Sequence, residues 1–387
     1  MKGGVVVLLG LVVVGAVATD ARAAGLPVVP AMFVLGASTL DVGNNNHLPG
    51  KDVPRADHPF YGIDFPGGAR ATGRFSNGYN IADFVGTSIT TSPKRSCVSL
   101  IDVCIYAARQ LGFERSPLAY LELKSRNYLI PSALKRGVNY ASAGAGILDS
   151  TNVGKNIPLS KQVRYFASTK AEMETAWGRQ EVSKLLASSF FLLSIGNNDL
   201  LQSTPKSHAD VVALYTTLVS NYSAAITDLY GMGARKFGII NAGPVGCFPR
   251  VRLLSATGAC HDGLNRLALG LAATFKSGLA TALTPNRLPG LKYSLADSFA
   301  SSWAIFDNPQ ESGFQNGDSA CCGSGRLGAE GDCNRNATLC SDRDAYAFWD
   351  YVHPSQRAAE LGAQALFDDG PTQITAPISF KQLAYEK

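Results

Sequence analysis

Long runs of positive charge are missing from this chain. Its 35 Lys and Arg are scattered over 387 residues, and the formal net charge is only +5. Without a basic stripe there is no electrostatic footprint for nucleic acid, so that class of partner is set aside. Histidine occurs five times, and no Cys-x-x-Cys pair exists among the eight cysteines. Both scarcities argue against a zinc site. Beyond the N-terminus no apolar run is long enough to span a bilayer. No internal repeat or low-complexity linker divides the chain. Hydrophobic residues make up 46% and charged residues 17%. That balance excludes global disorder and allows a large core.

The apolar run that does exist lies at the start. Lys2 precedes residues 3–18, built almost wholly of Val, Leu, Gly and Ala, and Ala21-Arg22-Ala23 follows as an Ala-x-Ala cleavage site. This pattern predicts a secretory signal over 1–23, leaving 24–387 as one domain of a secreted, extracellular protein. In an oxidising compartment an even number of cysteines implies disulfides. Cys97 with Cys104 and Cys247 with Cys260 are local candidate pairs. Adjacent Cys321 and Cys322 are expected to bond to different partners, with Cys333 and Cys340 available; the spacing does not fix which. Asn221-Tyr222-Ser223 and Asn336-Ala337-Thr338 are glycosylation sequons, with Asn221 and Asn336 as the acceptors.

Short apolar runs alternate with amphipathic stretches. Strands are expected over 32–35, 138–141, 190–195, 236–240 and 291–296, each closed by Gly, Ser, Asn or Asp. Continuous apolar runs suit parallel strands buried on both faces. Helices are expected over 209–230, 261–283 and 355–367, the last with Pro354 at its start. The alternation predicts one doubly wound α/β domain. Segments 44–72 and 307–341, rich in Gly, Pro or Cys, read as long surface loops.

Ser38, Gly144 and Asn198 each follow a different expected strand. In open parallel sheets ligands bind beyond the carboxyl ends of strands, so these three residues converge on one crevice. Ser38 is a candidate nucleophile, and a serine needs a base to take its proton. His353 supplies a natural base near neutral pH, and Asp350, one turn earlier, can fix its tautomer and stabilise the imidazolium. The Asn198 amide and the Gly144 N–H are candidate donors to an oxyanion, where one oriented donor contributes ~3 kcal/mol. Ser142 is a competing nucleophile. It lies in Tyr140-Ala141-Ser142-Ala143-Gly144, close to the Gly-x-Ser-x-Gly elbow but with Tyr140 where the first glycine belongs.

These motifs resemble the plant GDSL esterase/lipases of the SGNH hydrolase superfamily. The matching stretches are Gly36-Ala37-Ser38-Thr39-Leu40-Asp41-Val42-Gly43-Asn44-Asn45-Asn46, Gly73-Arg74-Phe75-Ser76-Asn77-Gly78 and Val138-Asn139-Tyr140-Ala141-Ser142-Ala143-Gly144-Ala145-Gly146-Ile147. They continue with Ile195-Gly196-Asn197-Asn198-Asp199, Gly243-Pro244-Val245-Gly246-Cys247 and Phe348-Trp349-Asp350-Tyr351-Val352-His353-Pro354. The resemblance implies a flavodoxin-like three-layer α/β/α sandwich with a central parallel sheet of about five strands. It implies Ser38 as nucleophile, His353 as base and Asp350 as its partner, with Gly144, Asn198 and the Ser38 backbone N–H forming the oxyanion hole. No metal or organic cofactor is implied, and the expected partner is an ester or acyl-lipid substrate. One departure stands out: the family ordinarily has Asp before the serine, and here it is Ala37. Two other readings use the same site. An acyltransferase would pass the acyl group to an alcohol, and a non-catalytic secreted protein would bind a cell-wall glycan or partner through a degraded pocket.

Overall fold

The computed structural model describes residues 28–86, 111–126, 134–368 and 373–386. The 1–23 leader and the Cys97/Cys104 pair lie outside them. A five-stranded sheet forms the centre. Strands β1 (Met32–Gly36), β2 (Phe190–Ser194), β3 (Lys236–Ile240) and β4 (Lys292–Ala296) are parallel and lie side by side in that order. These match four of the expected strands to within a residue at either end. The stretch expected as a strand at 138–141 runs along the free edge of β1. Val34 N–H donates to the Val138 carbonyl and Tyr140 N–H to that of Val34, but only an isolated bridge forms. Counting that segment, the spatial order is second, first, third, fourth, fifth, the flavodoxin-like order. The far edge holds a strand that no sequence pattern announced, β9 (Thr375–Ala376), antiparallel to β4.

The sheet is buried on both faces, as its apolar runs require. Phe33, Leu35, Phe191, Leu193 and Phe237 point into one apolar layer, under the helices Leu159–Trp177, His208–Gly231 and Asp262–Ala282. Met32, Val34, Phe190 and Leu192 point into the other, under Gln356–Asp368 and Phe380–Tyr385. Successive residues alternate between faces because the strand repeat is two. The rings of Phe33, Phe166 and Phe191 meet with centroids 5.1–5.3 Å apart, a geometry that adds to their area burial.

The two segments read as surface loops are not solvent loops. Asn44, Asn45, Ala56, Tyr61 and Phe65 of the first are buried. The second holds β5 (Asn316–Ala320), β6 (Cys322–Gly323) and β7 (Thr338–Leu339), and β5 pairs with β8 (Tyr346–Phe348). Loop composition misleads here because disulfides and aromatic side chains, not regular elements, supply the packing. Cys247 bonds to Cys260, Cys321 to Cys340 and Cys322 to Cys333. Cys321, Cys322 and Cys333 pack with Tyr61, Phe75 and Trp349 in one small cluster. The Cys321 and Cys322 N–H groups donate to the carbonyls of Phe348 and Trp349, directly before Asp350. The disulfide knot therefore props up the Asp350 loop. Peptide mapping without reduction is expected to recover these three bridges. Replacing Cys322 and Cys333 together by serine should cost about 2–5 kcal/mol in chemical denaturation. Free thiols among these six residues in the oxidised protein would refute the arrangement.

Candidate active site

A cleft of about 900 Å³ opens beyond the carboxyl ends of the strands, and Ser38, Gly144, Asn198 and His353 all line it. Ser38 sits two residues after β1, half-buried. The turn that carries it is fixed by main chain and by a clamp. Ala37 N–H donates to the Ser194 carbonyl, and the Ala37 carbonyl accepts from Leu40 and Asp41. Gln162, fully buried, accepts from Gly36 N–H at 2.8 Å and donates back to the Gly36 carbonyl at 2.9 Å. A Cβ on Gly36 would lie 2.4 Å from the Ser194 carbonyl oxygen, so the first residue of the motif has to be glycine. Asp41 closes the turn by accepting from Gly43, Asn44 and Ala143 N–H groups at 2.8–3.0 Å. Complete burial pushes its carboxyl up to about 6 against those bonds.

Asp350 and His353 come together as their spacing predicts. The carboxylate oxygens lie 2.7 and 2.9 Å from His353 Nδ1. A carboxylate only accepts, so Nδ1 carries the proton and Nε2 is left as the basic nitrogen. Asp350 is 1% exposed, and an isolated charge there would be very costly. It is satisfied by the N–H groups of Val352 and His353, both at 2.9 Å, and by Tyr61 Oη at 2.7 Å. Burial alone would raise its pKa, but the His353 charge and these hydrogen bonds outweigh it and hold it below the usual carboxylate range. Burial, and then the Asp350 charge, push the Tyr61 hydroxyl well above its ordinary value, so Tyr61 stays a donor. The Phe75 ring packs 4.8 Å from the His353 ring.

The sequence reading missed Tyr61 and gave no role to the Gly73-Arg74-Phe75-Ser76-Asn77-Gly78 motif. Its Phe75 ring lies between Tyr61 and His353, with centroids 5.7 and 4.8 Å away, and its other side chains anchor the turn. Asn77 Oδ1 accepts from Gln356 N–H at 2.7 Å, Gln356 Oε1 accepts from Tyr79 N–H at 2.7 Å, and Asn77 Nδ2 donates to Asp64 at 2.8 Å. Asp64 also pairs with Arg343 at 2.6 Å. Arg74 forks onto buried Asp83 at 2.6 and 2.8 Å. A buried glycine-and-asparagine motif read from sequence signals a turn, and only the contacts show what the turn holds.

Elsewhere along the cleft, Asn198 Nδ2 donates to the Ala145 carbonyl at 2.9 Å. That bond fixes the amide plane and leaves the second N–H of the same nitrogen to face elsewhere. Gly144 has φ +81°, which favours glycine. Its carbonyl is held by Asn152 Nδ2 at 2.8 Å and Asn156 Nδ2 at 3.1 Å. Ser142 is fully buried, donates to Asn45 Oδ1 at 2.5 Å and accepts from Ile157 N–H at 2.9 Å. It is a bracing residue with no access to the cleft. The sequon asparagines Asn221 and Asn336 are both exposed.

The low pKa of Asp350 has a consequence for stability. A carboxylate whose pKa is lower folded than unfolded adds stability above the unfolded value, and that stability disappears as pH falls through the folded value. Tyr61→Phe removes a hydrogen bond to a charged group, so it should cost about 1.5–3 kcal/mol at neutral pH. Protonation of the unfolded carboxylate is common to parent and variant and cancels, so the deficit should shrink only as pH falls through the folded-state pKa, which lies below the usual carboxylate range. Thermal melts of parent and variant between pH 7 and 3 check this. Equal melting temperatures for parent and variant at neutral pH would show that Tyr61 packs without serving the carboxylate.

Comparison with known proteins agrees with this geometry. The model of the GDSL-like lipase/acylhydrolase family matches residues 32–366. Among Arabidopsis thaliana proteins, GDSL esterase/lipase At4g28780 is 33% identical over 363 residues, covering 91% of this chain and 90% of that protein. GDSL esterase/lipase APG is 34% identical over 354 residues, covering 88% and 91%. GDSL esterase/lipase At1g71250 is 33% identical over 394 residues, covering 98% and 96%. With a strand-end serine, a carboxylate-bound histidine and a matched length of this extent, the chain belongs to the GDSL-like lipase/acylhydrolase family and is a carboxylic ester hydrolase.

Proposed function

We propose that the chain is a secreted serine esterase/lipase that works through an acyl-enzyme on Ser38. The observation that carries this reading is the meeting of Ser38, His353, Gly144 and Asn198, from distant parts of the sequence, along one cleft. His353 Nε2 takes the Ser38 proton as Oγ attacks the ester carbonyl carbon. Asp350 stabilises the imidazolium that forms. The new oxyanion is received by the N–H groups of Ser38 and Gly144 and by the free N–H of Asn198. As the carbonyl reforms, the C–O bond to the alcohol breaks and His353 returns the proton to the leaving oxygen. Water, deprotonated by His353, then attacks the acyl-enzyme, releases the acid and restores Ser38.

The N-terminal pattern and the disulfides support secretion, and the exposure of Asn221 and Asn336 suits them to glycosylation. Among the described residues no helix is long and apolar enough to cross a membrane.

A fluorophosphonate should modify Ser38, with the adduct located by mass spectrometry of peptides. Modification at Ser142 would overturn the nucleophile assignment, and no modification of active protein would overturn the acyl-enzyme. A second test separates catalysis from folding. Asn198→Ala should lower kcat about 10²–10³-fold with KM little changed, because the interaction forms in the transition state. Its bond to the Ala145 carbonyl adds about 0.5–1.5 kcal/mol to stability. A kcat near the parent's would remove Asn198 from the oxyanion hole.

A further inference from the structure

The sheet order separates the two sides of the cleft, and one of them carries most of its large aliphatic side chains. Ser38 follows β1. The segment at 138–141 lies on one side of β1, and β2 and β3 lie on the other. Chain that follows β2 and β3 contributes Ile195, Leu201, Phe248, Val251, Leu254 and Leu264 to the cleft, interrupted by the polar Asn197, Gln202, Asn241 and Arg250. The elements bearing them pack on one another: Asn197–Gln202 and the turn Val245–Cys247 both contact the helix Asp262–Ala282, and Pro249–Arg252 contacts that turn. Chain on the other side contributes Arg55, Asn152 and Lys155, beside Val53, Pro54 and Ala143. Asn45 Nδ2 joins this wall by donating to the carbonyls of Pro54 and Ala143, both at 3.0 Å.

The outer end of the apolar wall is unusual. Leu254 is 75% exposed, yet the loop that holds it outward is closed by the Cys247–Cys260 disulfide. It is also clamped by Arg326. Arg326 Nη1 donates to the carbonyls of Ser255 at 2.8 Å and Ala256 at 3.0 Å, and Nη2 donates to that of Leu253 at 2.6 Å. A large apolar side chain fixed in water at the rim of an apolar wall is placed where a ligand would cover it.

We infer that this disulfide-closed loop is the acyl-chain wall, running from Ser38 past Phe248 and Val251 to Leu254. It selects esters of extended aliphatic acids, and their polar alcohol lies against Arg55, Asn152 and Lys155. The inference rests on the esterase reading above. Each methylene laid on the wall leaves water, at ~0.8 kcal/mol when fully buried, so kcat/KM should rise about two- to fourfold per carbon.

The test is a series of p-nitrophenyl esters from acetate to dodecanoate, run on the full chain, Leu254→Asp and Leu254→Met. The expected result is that Leu254→Asp lowers the decanoate-to-acetate ratio of kcat/KM at least tenfold and Leu254→Met keeps it. Since Leu254 is exposed, neither change should disturb folding. An unchanged ratio in Leu254→Asp, or a flat series in the parent, overturns the inference and leaves the esterase reading standing. Binding of cis-parinaric acid to Ser38→Ala, followed by fluorescence, needs no chemistry. Weaker binding on adding Leu254→Asp supports the wall even if no ester is cleaved, whereas equal binding overturns it.

Discussion

Asp350 is a carboxylate with almost no contact with water, and much of the molecule's irregular chain can be understood as the means of keeping it charged there. A buried charge without partners would take up a proton, and an acid so neutralised could not stabilise an imidazolium. Four donors prevent that: the His353 ring, two main-chain N–H groups of the same turn, and Tyr61 from 289 residues away. The turn can supply the two main-chain donors by itself. Tyr61 must be delivered. The glycine-rich chain from Tyr61 to Tyr79 does this, locked to the start of the helix Gln356–Asp368 through Asn77 and Gln356. The disulfide knot supports the other side through Cys321 and Cys322. Two segments with little regular structure thus carry the most demanding electrostatic task in the fold.

The sheet sets a second constraint. Parallel strands end at one edge, and whatever follows them is brought to that edge whether or not it is near in sequence. Their order then decides which chemistries become neighbours. Because β1 lies between the 138–141 segment and β2, the Ser38 turn has Gly144 on one side and Asn198 on the other. Both supports are themselves braced, Gly144 by Asn152 and Asn156 and Asn198 by the Ala145 carbonyl. In the proposed role of oxyanion donors, groups held in this way would need no rearrangement as charge develops.

Four central strands and the helices at 208–231, 262–282 and 356–368 were legible because apolar runs and helical spacing report burial directly, whereas the 19-residue helix Leu159–Trp177 was not among those expected. The triad candidates were legible because each stands at a strand end or within one turn of its partner. Tyr61 was not, since a single aromatic in a stretch with Gly and Pro carries no periodicity. Its role depends on a carboxylate that only tertiary structure brings near. The 138–141 segment shows a related limit. Its apolar pattern predicts a strand, and the segment does run along β1, but the chain is bonded through Asn139 to Leu40, Ser116 and Leu118 and does not extend a regular ladder. β9, two residues long, is too short for any pattern to announce. Ser142 shows the reverse error in waiting: a serine in a near-elbow motif whose hydroxyl is wholly occupied inside.

Ala37 stands where the family ordinarily places an acid, and the geometry explains how the turn keeps its shape without one. Every hydrogen bond that residue 37 makes within the turn runs through its main chain, to Ser194, Leu40 and Asp41. The flanking glycine is held by Gln162, and the far end of the turn is held by Asp41. The Ala37 methyl packs among buried apolar residues and is only 7% exposed. A carboxylate there would meet an apolar layer on one side and the Ser38 cleft on the other. Any charge it kept would act on Ser38 and the cleft it lines, not on the backbone. The side chain at this position therefore bears on the electrostatics of the cleft, while the main chain and its clamp determine where Ser38 sits.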